Sequence, residues 1–127
     1  MKDDQYLAYC HALMSSFSAD LEKRTEKLDA EDSLRQLALA FTALSASPGQ
    51  IHSQGLDLVT RLFTTYPDFA PSFPRDLLWF LGGDCLHYMP DEEIQQHQQL
   101  DEMRHEAAAR GATLDLAQAR ANLLKLQ

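Results

Sequence analysis

The side chains able to do chemistry crowd into one stretch of this 127-residue chain: Asp84, Cys85, His87, Tyr88, Asp91, Glu92, Glu93, His97, Asp101 and His105. In Gly82-Gly83-Asp84-Cys85-Leu86-His87, two glycines precede an acid, a thiol and an imidazole. A sharp turn there could present Cys85 as a nucleophile, with His87 as the base that a thiolate needs. Residues two apart point away from each other on a helix, however, and no orienting group or oxyanion site is specified. The structural alternative is that the glycines let a buried helix turn and that Cys85 fills core as a small hydrophobe. The block matches neither the GxSxG elbow nor a cysteine-protease signature, so no catalytic residue is assigned.

Glu93, His97, Asp101 and His105 recur every four residues, which places them on neighbouring turns of one helix. Glu/His pairs at that spacing can hold a divalent metal, as in HExxH. Four residues overshoot a turn by about 40°, so Glu93 and His105 face different points, and no metal ligand set is assigned. A helical wheel puts Ile94, Leu100, Met103 and Ala107 on the inward side, with Glu93, His97 and Arg104 on or beside it. Gln95, Gln98, Gln99, Glu102 and Glu106 face outward. Inward charges need partners. Asp84, Cys85, His87, Glu93, His97 and Arg104 therefore form the candidate polar cluster or pocket. Glu102 and Glu106 form the candidate interaction surface.

The elements that must position these groups read as helices. Tyr6, Cys10, Leu13, Phe17, Leu21 and Leu28 make an apolar stripe over 4–28, with Asp3 or Asp4 as cap and Arg24 on the stripe. Leu34, Leu37, Ala38, Phe41 and Leu44 give the clearest helical period, with Glu31 and Asp32 at its positive end. A loop over 45–53 turns at Pro48-Gly49, and Leu56, Val59, Leu62 and Phe63 then bury a third helix that Tyr66-Pro67 ends. YPDFAPSFP, 66–74, reads as a rigid extended connector whose aromatics, with Trp79, lid a core. Residues 77–81 are apolar on every side, as in a central helix. Pro90 with Asp91, Glu92 and Glu93 starts the long helix, and Gly111 ends it. Asp115 with Gln118 can cap a last helix docked by Leu116, Ala119, Leu123 and Leu124. His11 and His52 read as surface residues without a role. No stretch alternates as a strand does. The expected fold is all-α: a single domain over 1–127, a helical bundle or orthogonal array of about five to six helices.

Composition narrows the function. Hydrophobic residues make 45% and charged residues 24%, values of a folded globule. A net charge of −8 disfavours nucleic acid and anionic membrane as partners and permits a basic protein surface. Cys10 and Cys85 form no CxxC, so neither a disulfide framework nor structural zinc is expected, and both read as reduced in a cytoplasm. Residues 36–56 lack charge, but their proline, glycines and polar side chains exclude a membrane span. There is no Walker loop, GxGxxG or EF-hand loop, and no cofactor is expected. The reading is a small acidic helical interaction or regulatory protein acting through a protein partner. The alternative is a small enzyme or metal- or ligand-binding sensor built on Asp84-Cys85-His87 and Glu93/His97, which requires those side chains to converge. A homodimer fixed by buried polar residues is compatible with the first reading.

Overall fold

The computed structural model describes residues 3–126 and is all-α, with no strand among them. Six helices follow one another: α1 Asp3–Thr25, α2 Ser33–Ser45, α3 Ile51–Thr65, α4 Arg75–Leu81, α5 Asp91–Ala109 and α6 Leu116–Leu126. Short 3-10 turns at Pro48–Gln50, Pro67–Phe69 and Gly83–Tyr88 punctuate them. The chain divides into two compact units, one running from Cys10 to Tyr88, the other taking in the chain up to Tyr9 and from Met89 onward. No helix is long and apolar enough to cross a membrane among the described residues.

In the Cys10–Tyr88 unit, α3 is the hub, packed against α2, α4 and all three turns. Phe41, Phe63, Phe73, Met14, Leu21, Leu62, Leu77 and Leu78 are fully buried. Their rings meet edge to face: Phe73 lies 4.7 Å from Phe17 and 5.3 Å from Phe63, and Phe63 lies 4.7 Å from Tyr88. Such tilted pairs suit the ring quadrupole. Gly55 is buried, and its lack of a side chain lets Leu81 pack directly on α3, 2.9 Å from where a Cβ would stand.

The buried stripe of α1 is displaced from the one its apolar residues suggest. Cys10, Met14, Ser18, Leu21 and Thr25 are buried, Phe17 is half-buried, and Leu28 lies exposed beyond the helix end. Hydroxyls can enter a core when they are bonded. Ser18 Oγ donates to Phe41 O at 3.1 Å and lies 2.8 Å from Ser45 Oγ. Thr25 Oγ1 donates to Leu21 O at 2.8 Å and accepts from Arg35 at 3.2 Å. Thr42 donates to Glu22 at 3.3 Å, and His11 Nε2 donates to Ser45 O at 2.8 Å. Hydroxyl hydrogen bonds, two of them with the charged groups of Arg35 and Glu22, thus line the α1–α2 contact, and His11 belongs to it rather than to the open surface. Arg24 stacks over Phe69 at 5.2 Å.

Two further expectations are corrected. The 66–74 segment is not extended. Pro67, with its fixed φ, starts a 3-10 turn, and Ala70 is helical at φ −61°, ψ −47°. At the second helix, Asp32 is the cap, accepting from Leu34 N at 2.9 Å, so Glu31 stands outside the first turn.

Candidate functional site

The thiol-bearing block begins where α4 cannot continue. Gly82 sits at φ 64°, ψ −149°, and Gly83 at φ 51°. The first conformation is essentially reserved for glycine, and it breaks the helix sharply. The chain then coils as a 3-10 turn, with three residues per turn. Cys85 is fully buried, while Asp84 and His87, one such turn apart, are exposed. The thiol and the imidazole therefore diverge. Burial, and secondarily the Asp84 carboxylate, push the Cys85 thiol from 9.0 up to about 11. A nucleophilic cysteine needs the opposite shift.

What fixes this turn is Arg75, a residue that composition and periodicity did not single out. One guanidinium nitrogen donates to Ala70 O at 2.7 Å and Phe73 O at 3.3 Å, and the other to Tyr88 O at 2.8 Å. The planar fork of donors ties the ends of two turns to the start of α4. The only sequence signal was a lone arginine between two apolar blocks.

Glu93, His97 and Arg104 belong to the other unit, on α5. His97 is 8% exposed, and its Nδ1 lies 2.8 Å from Glu93 O. A carbonyl only accepts, so Nδ1 carries the hydrogen. Glu93 is half-buried. The Arg104 side chain is 11% exposed; it pairs with Asp3, approaches Asp101 at 3.9 Å and lies over the Tyr6 ring at 4.7 Å. Its Nε is buried with no hydrogen-bond partner. An inward arginine thus found its partners in the first turns of α1, and Asp3 is one of them rather than a plain cap. Among the described residues, no group of three His, Cys, Asp or Glu side chains is placed to hold a metal ion.

The outward side of α5 is continuous. Asp91, Glu92, Gln95, Gln98, Gln99, Glu102 and Glu106 are all exposed, whereas Leu100, Ala107 and His97 on the opposite side are buried. Glu106 pairs with exposed Arg110 at 3.4 Å, a contact that water screens. On α6, Ala119 is buried and Leu116 and Leu123 are half-buried, with Gln118 N donating to Asp115 at 3.1 Å; the Leu124 side chain lies outside the described residues.

Neither the curated proteins nor the solved structures contain a match to this chain. One family model matches residues 2–127, nearly the whole length, and the chain belongs to the PA2817-like family.

Proposed function

We propose that this protein is an interaction or regulatory module that acts by binding another protein, with the outward face of α5 as a docking surface. The observation that carries the reading is that face itself. Its exposed carboxylates and amides run the length of a helix whose other side is buried. Charges arranged this way steer a partner of opposite sign and set its orientation. A basic protein surface is the matching partner, and the net charge of −8 disfavours nucleic acid. A reducing cytoplasm suits the reading, since both cysteines are free and buried.

The enzyme reading draws no support from Cys85, whose thiol is sealed and held protonated. The test is charge reversal on exposed positions that carry no core. Glu102→Lys with Glu106→Lys should weaken the complex with a captured partner by about tenfold, mostly through a slower on-rate, and flatten its salt dependence. Affinity that survives both changes excludes α5 as the docking face.

A further inference from the structure

A second surface lies in the Cys10–Tyr88 unit, and it has a different character. A trough of about 540 Å³ opens between α2 and α3, floored by Ala40, Ala43, Leu44 and Leu58. A smaller hollow of about 150 Å³ continues it towards Leu37 and Thr65. Arg61 and Ala40 line both, so the two hollows adjoin at Arg61. The α3 side of the groove runs from Gln50 to Thr65, which is about 22 Å at the helical rise. That length fits a polypeptide segment and exceeds a compact metabolite.

We infer that the α2–α3 trough docks a segment of a partner polypeptide that presents a single carboxylate between apolar side chains. The charge arrangement selects the carboxylate. Arg61 is exposed, and among the described residues it has no hydrogen-bond or ion-pair partner. Its planar fork matches a carboxylate with two parallel hydrogen bonds. Asp57 lines the same trough one turn earlier and repels a second acid, so the site takes one carboxylate rather than an acidic run. The floor selects the apolar flanks. Ala40, Ala43, Leu44 and Leu58 line the trough beside Arg61, so the surface around the guanidinium is small and apolar. Partner side chains seat on such a floor through shape and apolar contact rather than charge.

This site prefers a partner opposite in charge to the one proposed for α5, and it stands or falls separately. The test pans a random dodecapeptide library on phage against the full chain and follows the enriched peptides by amide NMR. The expected result is enrichment of a single Asp or Glu flanked by Leu, Ile or Phe. Shifts should fall on α2 and α3, with about tenfold loss of affinity in Arg61→Gln and in Ala43→Glu, which sets a second acid against the bound carboxylate. Both positions are exposed, so melting should be unchanged, and Glu102→Lys with Glu106→Lys should leave peptide binding intact. Failure to enrich any peptide overturns the inference. So does enrichment of basic or polyacidic peptides, or binding that ignores Arg61→Gln.

Discussion

The two units of the chain keep their polar groups in opposite ways. Between Cys10 and Tyr88, interlocked aromatics fill the core, the buried hydroxyls of Ser18 and Thr25 bond backbone carbonyls, and Asp76 is the charged side chain among the buried ones. In the other unit, a nearly buried arginine draws Asp3, Asp101 and Tyr6 around itself. Neutral hydrogen bonds carry a small desolvation cost and tolerate burial. A buried guanidinium is expensive unless every donor is used, and here Nε is not. The difference teaches where each unit is vulnerable: the first chiefly to lost volume and to loss of the Arg75 clamp, the second to loss of the ion pair around Arg104.

The largest effect should come from volume. Phe63→Ala removes a ring that touches both Phe73 and Tyr88 and should cost about 3–5 kcal/mol, read as a lower urea midpoint. Arg75→Met should follow at about 2–3 kcal/mol. It removes the donor from the Tyr88 carbonyl and leaves the Ala70 carbonyl only the long bond from Phe73 N, and Lys should restore only part of the loss because it lacks the fork. Gly82→Ala forces a Cβ into a conformation reserved for glycine and should cost about 1–3 kcal/mol. Smaller and more local, Arg104→Met should raise amide exchange over residues 3–9 and leave the amides of α3 protected. Equal deprotection of α3 would show that the two units do not differ in this way.

The smallest effect concerns pH. The unfolded Cys85 thiol ionises near 9.0 and the folded one only near 11, so between them the unfolded chain loses a proton that the folded chain keeps. Stability is full below the window and falls as pH rises through it. Cys85→Ala should flatten that decline, and an unchanged decline would mean that Cys85 is not the group responsible.

Much of the fold was legible because the helices advertise themselves locally. Pro90 and its three acids start α5, Gly111 at φ 74° follows its end, and the α2 period is unbroken. The α1 stripe was misread because Ser18 and Thr25 look polar until their hydroxyls find carbonyls, one of them across to α2. The candidate cluster was only partly legible for a related reason. A wheel identifies Arg104 as inward, but Asp3 is 101 residues away and no local rule points to it. Arg75 and Arg61 escaped entirely, since an arginine's sequence neighbours do not say whether it clamps carbonyls or stands open in a groove. The divergence of Cys85 and His87, by contrast, followed from their spacing alone.

The central claim, that the protein acts by holding another protein, is tested most directly by native mass spectrometry of the gently purified chain. The account predicts a complex with a second polypeptide, disrupted by raised salt and by Glu102→Lys with Glu106→Lys. A lone subunit that retains a metal ion or a small organic molecule through the same treatment would contradict it.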